Sequence, residues 1–399
     1  MEQANNYVYL DYAATAPLCE EAREALLPFL DAGACGIAQQ ANANSLHTPG
    51  RKAFETMEKA RKHLSQALGA QRPSELVFTS GATEADNAAL FGMTKAASEQ
   101  RHYAAKQSGS LGHVIVSSIE HEAVLQPAHE LQRMGYEVSF VAPNAFGIVE
   151  AERLEALMQD NTLLVSVMMA NSEIGSIAPI QELARCAHEH HALFHTDATQ
   201  ALGKTPCVVS ELGVDAASFS AHKIGGLKGV GVLYLKARTP FVPLLLGGGQ
   251  EEGRRSTTQN VAGMVSFAAA AQAAVEHEAA ESLRLRTLRD YLYEQLAALK
   301  NVRITLDIPK ESTHYLPNIV HFLVPGIESE TLILRLDREG FGVSGGSACS
   351  SHSLDPSHVL RAIGVKSDDA YCALRVSMGR YTTKEQIDAF LLALQKVIS

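Results

Sequence analysis

The chain has 399 residues, of which 46% are hydrophobic and 20% are charged, a balance typical of globular proteins that excludes a disordered or fibrous chain. Acidic residues outnumber basic ones by 44 to 34 and no block of lysine and arginine is present, so we expect no nucleic-acid partner bound through its phosphates. The length predicts two or three structural units, or one large domain with an appendage.

The N-terminal residues lack the basic segment and apolar stretch of a secretory signal. The richest apolar segments, Leu163–Ala170 and Val261–Val275, are too short or too interrupted to span a bilayer. The six cysteines form no CxxC pair and are scattered along a chain too long to need disulfides. We therefore expect a cytoplasmic protein with no membrane contact.

Over the first two-thirds of the chain, short apolar runs alternate with amphipathic stretches. The predicted strands are Leu76–Thr79, His113–Ser117, Val138–Val141, Leu163–Met168, Leu193–Thr196, Ala216–Ser220 and Gly231–Leu235. The predicted helices between them include Thr83–Ala97, Ala123–Met134, Glu152–Gln159 and Ile180–His190. Several strands are apolar throughout, as expected when helices cover both faces of a sheet. The pattern predicts an α/β fold with a mostly parallel sheet.

The pattern changes after the glycine-rich stretch Gly247–Gly253. A long helix is predicted from Val261 to Lys300, followed by strand-like pieces at Val302–Leu306 and Asn318–Phe322 and by two final helices. These elements predict a smaller α+β domain at the C-terminal end.

The first segment that could bind a ligand follows the strand Leu76–Thr79. Small residues lead into a helix that begins near Thr83, and the free N–H groups of such a helix start suit a phosphate. A plain Ser/Thr helix cap explains the same residues. His121 follows the next strand and could stack on a flat ring or move a proton, or could simply begin a helix.

Asp197 and Lys223 each follow an apolar strand, 26 residues apart. A carboxylate at the end of such a strand could pair with a protonated pyridine nitrogen, although Asp197 could equally cap a helix. Lys223 lies among small residues in Ser218–Lys223, where desolvation would make its amine competent for a Schiff base. A surface lysine before a turn is the alternative.

Cys349 lies in a run of glycine and serine that cannot bury apolar surface, which favours an exposed, flexible segment and a reactive thiol. Arg375 and Arg380 precede the last helix, and either guanidinium could bind a carboxylate or form a surface salt bridge. Cys186 and its neighbouring histidines lack metal-site spacing, so no metal is expected.

In this order, the motifs resemble those of NifS/IscS-type cysteine desulfurases in the class V aminotransferase family, which use pyridoxal 5′-phosphate (PLP). The resemblance covers nearly the whole chain. The further matching segments are Tyr9–Thr15, His47–Arg51, Asn171–Gly175, Gly247–Glu251, Ser353–Arg361 and Ser377–Thr383.

The resemblance implies a role for each candidate. Lys223 would hold PLP as an internal aldimine, Asp197 would pair with the ring nitrogen, and His121 would stack on the ring and help to move protons. Cys349 would take the sulfur. The other implied PLP-binding residues are Ala82, Thr83, Ser220 and His222 at the phosphate, Gln200 at the ring 3-oxygen, and Thr258 from the neighbouring subunit of an obligate homodimer.

For the substrate, the resemblance implies that Arg375 binds the carboxylate and that Asn42 lies close by. Ser172 stands where the family has an asparagine that contacts the ring oxygen, so it is a candidate whose hydroxyl is shorter than that amide.

The implied fold is the type I fold of PLP-dependent transferases, with a large PLP-binding domain at residues 16–260. Residues 1–15 and 261–399 would form a small domain that carries the Cys349 loop. The implied activity converts L-cysteine to L-alanine, with persulfide sulfur passed to an iron–sulfur scaffold protein or another sulfur carrier. The alternatives are a selenocysteine lyase, another class V PLP enzyme, and a PLP-free scaffold for sulfur carriers.

Overall fold

The computed structural model describes residues 7–33, 36–102, 111–346 and 356–399. Its strands are β1 (Val8–Tyr9), β2 (Leu76–Thr79), β3 (His113–Ser117), β4 (Glu137–Val141), β5 (Thr162–Ser166), β6 (Leu193–Asp197), β7 (Ala216–Ser220), β8 (Gly231–Leu235), β9 (Arg303–Ile304), β10 (Ile319–Leu323), β11 (Phe341–Gly342) and β12 (Ala373–Ser377).

The helices surround these strands and connect them. They are α1 (Glu20–Leu26), α2 (Ile37–Gln40), α3 (Thr48–Leu68), α4 (Ala82–His102), α5 (Glu122–Arg133), α6 (Ala151–Glu155), α7 (Ile180–Glu189), α8 (Val209–Leu212), α9 (Val261–Ala297), α10 (Ser329–Arg338), α11 (His358–Ala362), α12 (Ser367–Ala370) and α13 (Lys384–Ile398). None of the helices in the described ranges is long and apolar enough to cross a membrane.

The large sheet has the strand order β2-β8-β7-β6-β5-β3-β4. The pairs from β7 through β6, β5 and β3 to β4 are parallel, whereas β8 runs antiparallel to both β7 and β2. Successive side chains of β3 enter different apolar clusters, since Val114 and Val116 pack in one and Ile115 in the other. The predicted mostly parallel sheet, covered on both faces, is therefore confirmed.

A smaller antiparallel sheet has the order β12-β10-β9, and the N-terminal segment joins it from the other end of the chain. β1 pairs in parallel with β11, and Tyr12 N donates to Ser377 O. The long helix α9 contributes to the hydrophobic cores of both sheets, because Phe267 packs with the large sheet and Leu292 with the small one. The division after residues 15 and 260 stays a prediction.

Some elements differ from the sequence expectations. α6 stops at Glu155 rather than Gln159, because the chain must turn there before β5. β12 was not predicted, and in the described ranges four helices rather than two, α10 to α13, follow β10. The sequence also did not identify α3, although the His47 ring caps its start and Gly69, with φ of 67°, ends it.

Candidate active site

A cavity of about 380 Å³ opens where β3, β5, β6 and β7 end at the same edge of the large sheet. Carboxyl ends of parallel strands meet at one edge, which is why residues distant in sequence converge there. The predicted site residues that line it are Ala82, Thr83, His121, Ser172, Asp197, Gln200, Ser220, His222, Lys223 and Arg375.

One end of the cavity is rich in hydrogen-bond donors. The first turn of α4 brings Ala82 and Thr83 to the wall, and the first N–H groups of a helix have no partner within it. The carboxylate of Glu84 accepts from Ser80 N at 2.8 Å and takes both arms of Arg255 at 2.7 and 2.9 Å. This arrangement of N–H and hydroxyl groups suits a phosphate.

At the same end of the cavity, the imidazole ring of His222 is uncharged at neutral pH. Burial lowers its pKa to about 4, and the charges of Lys223 and Lys228 act in the same direction. Its Nδ1 lies 3.1 Å from Thr15 Oγ1. At neutral pH the imidazole can therefore both donate and accept a hydrogen bond without carrying charge.

Asp197 ends β6 with its carboxylate at the cavity wall and only 6% of the residue exposed. Its Oδ1 accepts from Thr199 N at 2.9 Å, so the alternative of a local backbone cap is also present. Thr199 Oγ1, in the same wall, is buried and has no hydrogen-bond partner among the residues that the structure describes. A buried carboxylate beside a hydroxyl suits a protonated ring nitrogen and its polar neighbours.

Lys223 lies in a short turn directly after β7, and its amine faces the N-terminal segment. Nζ donates to Ala13 O at 2.6 Å and to Ala14 O at 3.0 Å. The side chain of Lys223 lines the cavity, so Lys223 is not a solvent-exposed surface lysine. Two carbonyl acceptors hold the amine inside the site.

His121 caps α5 and lines the cavity at the same time. Its Nδ1 accepts from Ala123 N at 3.1 Å, so in the neutral ring Nε2 carries the hydrogen. The interpretation of His121 as a helix start is therefore confirmed, and its role beside a cofactor ring stays a prediction.

Arg375 and Arg380 have different surroundings. Arg375, on β12, is 1% exposed, donating from Nη1 to Ser172 O and from Nη2 to Asp11 Oδ1, each at 2.8 Å. Its Nε has no hydrogen-bond partner within the described part of the chain. Arg380 is exposed and forms a two-armed ion pair with Glu21, which is the surface salt bridge considered as the alternative.

Asn42 and Thr258 do not line the cavity of this single chain, and both are exposed. Their loops are neighbours, because Asn44 Nδ2 donates to Gln259 Oε1 at 3.0 Å. Thr257, next to Thr258, is β-branched and would tolerate a positive φ poorly, and it does not adopt one. The roles of Asn42 and Thr258 stay predictions.

Cys349 lies outside the described residues. The four cysteines within them, Cys19, Cys186, Cys207 and Cys372, are buried. Cys186 Sγ donates to Glu155 Oε2 at 3.1 Å and His190 contacts the other oxygen of that carboxylate. His188 instead faces Asp215, so the sequence cluster separates into two contacts.

Sequence reasoning missed several residues that hold the site. Asp11 pairs with Arg375, and Lys204 Nζ donates to Gln200 Oε1 at 3.0 Å. The contact between Gln200 and Lys204 could have been predicted from their spacing of four residues. The ion pair of Glu84 with Arg255 could not have been predicted from the sequence, because the two residues are 171 positions apart.

Comparison with known proteins agrees with this geometry. The family model for class V aminotransferases matches residues 8–390. A cysteine desulfurase IscS from Dictyoglomus turgidum is 42% identical over 98% of this chain and 94% of that protein. A solved NifS-like protein superposes with a TM-score of 0.86 at 36% identity, covering 98% of this chain and 99% of that chain.

A second solved structure, SspA in complex with cysteine, is 31% identical and superposes with a TM-score of 0.76 over 94% of this chain and all of that chain. These likenesses, together with the mostly parallel sheet, confirm the predicted type I fold of PLP-dependent transferases. The chain therefore belongs to the class V aminotransferase family and, within it, to the cysteine desulfurases of the NifS/IscS type.

Proposed function

We propose that this cavity holds PLP and removes sulfur from L-cysteine, leaving L-alanine and a persulfide on Cys349. The observation that carries the proposal is that Lys223, Asp197 and the N-terminus of α4 all face one cavity. They provide an amine, a carboxylate and a phosphate-binding turn, which are the three groups that PLP requires.

Each end of the cofactor has its own set of residues. Ala82, Thr83, Ser220 and His222 hold the phosphate, with Thr258 of a second subunit completing that set. Asp197 would pair with the ring nitrogen, Gln200 and Ser172 would face the ring oxygen, and Lys223 would be the residue that holds the cofactor covalently. Bound PLP supplies an electron sink for the bond electrons of the substrate α-carbon.

The substrate is held by Arg375 with Asn42 nearby. The Arg375 fork is already fixed by Asp11 and Ser172, while Nε retains a donor for a carboxylate. Lys223 Nζ would take the α-proton, and His121 Nε2 would help to move protons at the substrate sulfur.

Cys349 Sγ then attacks the substrate sulfur, so that the S–S bond forms as the C–S bond breaks. The chain on both sides of the Cys349 segment is attached near the cavity. Ser344 exchanges two backbone hydrogen bonds with Arg375, and His358 Nε2 lies 3.0 Å from Glu120 O, next to His121. Five residues span at most about 17 Å, and we propose that this length lets Cys349 reach a substrate held by Arg375.

The described cysteines are poor alternatives as nucleophiles. Burial raises the pKa of Cys207 to about 12, and burial together with Glu155 does the same for Cys186. Burial also raises the pKa of Cys19. The thiolate is the reactive form, so these thiols are unreactive at neutral pH.

The persulfide passes to an acceptor protein, either an iron–sulfur scaffold or another sulfur carrier, in the cytoplasm. The enzyme acts as a homodimer. Leu46 and Leu246 are 89% and 82% exposed, and the loops that carry them adjoin those of Asn42 and Thr258. Large exposed leucines suit an interface with a second subunit.

The test is Cys349→Ala in the PLP-loaded enzyme. The variant should bind PLP and change its absorption spectrum when cysteine is added, yet it should release almost no alanine and carry no persulfide by mass spectrometry. Cys372→Ala is the control and should behave like wild type. Undiminished turnover by Cys349→Ala would contradict the proposed transfer and favour a lyase that needs no protein thiol.

A further inference from the structure

Lys204 lies behind the active-site cavity, and its backbone is held firmly by α9. Gly203 has a φ of 70°, and a Cβ there would approach Ala274 Cβ to 2.6 Å, so the chain passes close to the helix at this point. Ser282 Oγ, also on α9, donates to Lys204 O at 2.7 Å. The base of the side chain is therefore fixed.

The amine of Lys204 has an unusual setting for a lysine. It donates to Gln200 Oε1 at 3.0 Å, and no carboxylate of the described residues comes within 4.0 Å of it. The positive charges of Lys223 and Arg375, on the active-site side, repel the ammonium form of Lys204. Glu281, His277 and Arg380 line the small cavity of about 110 Å³ on its other side.

Gln200 has only one amide orientation that satisfies both of its neighbours. Lys204 is a donor, so the amide must present Oε1 to it, and the Ala13 carbonyl is an acceptor, so the amide must present Nε2 to it at 2.9 Å. Ala13 O also accepts from Lys223 Nζ at 2.6 Å. A continuous hydrogen-bonded series thus joins Lys204, Gln200, Ala13 and Lys223.

We propose that Lys204 is a positioning residue that holds the Gln200 amide with Nε2 as the donor for an anionic oxygen of the bound cofactor. The inference rests on the proposed function. Nε2 has two hydrogens, of which Ala13 O uses one, and the other is available at the cavity wall.

A lysine serves this purpose better than a neutral donor would. Its charge polarises the amide that it contacts, which strengthens the hydrogen bond donated from the far end of that amide. Burial, with the charges of Lys223 and Arg375, lowers the pKa of Lys204 to about 7. Both the ammonium and the amine forms retain N–H donors, so the orientation of Gln200 persists through this titration.

The experiment follows the absorption spectrum of PLP bound to the intact enzyme as a function of pH. A donor to the ring oxygen withdraws electron density and lowers the proton affinity of the chromophore. Lys204→Met should therefore raise the midpoint of the spectral titration by about one pH unit, a tenfold change in proton affinity. Lys204→Arg, which keeps the donors and the charge, should lie closer to wild type.

A double-mutant cycle separates positioning from a simple charge effect. Gln200→Ala should raise the midpoint by itself, and Lys204→Met should add nothing in that background. If the Lys204→Met shift persists undiminished without Gln200, Lys204 acts through its charge and the proposal is wrong. An unshifted midpoint in Lys204→Met also overturns it.

The controls distinguish this inference from the proposed function. Lys236→Met, at an exposed lysine, should leave the midpoint unchanged. Should Lys204→Met not yield folded protein by circular dichroism, Lys204→Leu replaces it; leucine also has no donor for Gln200 Oε1, so the midpoint should rise, and an unshifted midpoint contradicts the proposal. A wild-type protein that acquires no absorption band with PLP would refute the proposed function, whereas a normal band with unshifted variants would refute only the role of Lys204.

Discussion

Arg375 and Arg380 are five positions apart in the sequence but differ in burial and in their contacts. Arg375 is buried on β12 and held by Asp11 and Ser172, whereas Arg380 forms an ion pair at the surface. Burying a guanidinium is costly unless its donors are satisfied. Arg375 Nε has no hydrogen-bond partner in the part of the chain that the structure describes, which indicates a position for an additional anion.

At the residue scale we predict the effect of Arg375→Lys. Lysine keeps the charge but loses the planar fork, so the KM for cysteine should rise by about 10- to 100-fold, the equivalent of one lost charged hydrogen bond. Steady-state kinetics with varied cysteine measures this. Arg380→Lys is the matched control and should change KM less than about twofold, as expected for an exposed ion pair. An unchanged KM in Arg375→Lys would remove its assigned role.

The first turn of α4 is held in place by an ion pair with a residue of a distant loop. Arg255 holds Glu84, and Glu84 in turn accepts from Ser80 N at the helix start. Burial opposes the charge of Glu84, yet the hydrogen bonds from Arg255 and Ser80 hold its pKa below the ordinary value. The carboxylate is thus ionised at neutral pH and ties the loop that carries Thr258 to the phosphate-binding turn.

At the element scale we predict that Arg255→Met weakens PLP binding by about tenfold, since the loss of a charged, partly buried partner costs roughly 1.5 kcal/mol. Equilibrium titration of the apoenzyme with PLP gives the dissociation constant. Arg254→Met is the control, because within the described ranges the hydrogen bonds of Arg254 go to its chain neighbours, the Glu251 carbonyl and the Glu252 carboxylate. Equal PLP affinity in Arg255→Met and wild type would show that the ion pair does not support the turn.

At the scale of the whole molecule, the cavity of one chain lacks two residues that the family resemblance assigns to it. Asn42 and Thr258 lie in adjoining exposed loops, near the exposed side chains of Leu46 and Leu246. A two-fold axis would place the same patch of each subunit against the other, and this would bring these loops to the partner's cavity.

Co-expression of differently tagged Lys223→Ala and Thr258→Ala chains tests this arrangement. If Thr258 acts across the interface, the mixed dimer contains one site with both native residues, and that site should recover the PLP affinity that the Thr258→Ala homodimer lacks. The two purified homodimers, kept separate, are the controls. If the mixed dimer binds PLP no better than the Thr258→Ala homodimer, Thr258 acts within its own chain.

Much of the architecture follows from local pattern alone. The apolar strands β2, β3, β7 and β8 begin and end at the predicted residues, because a strand buried on both faces has to be apolar throughout. The strand ends carry Asp197 and Lys223, whose position after apolar runs made them recognisable. By contrast β12 contains Arg375, a charge that local pattern assigns to the surface, although the whole strand is buried.

The sequence by itself determined the fold class, the family and the residues with chemical character, since hydrophobic period, strand ends and ordered motifs are properties of neighbouring positions. Only the tertiary structure decided which of two arginines is buried, which carbonyls hold Lys223, and that Lys204 donates a hydrogen bond to Gln200. These contacts join residues up to 364 positions apart, as for Arg375 and Asp11, and no local pattern specifies such a pair. They arise because the sheet and α9 bring the two ends of the chain to one cavity.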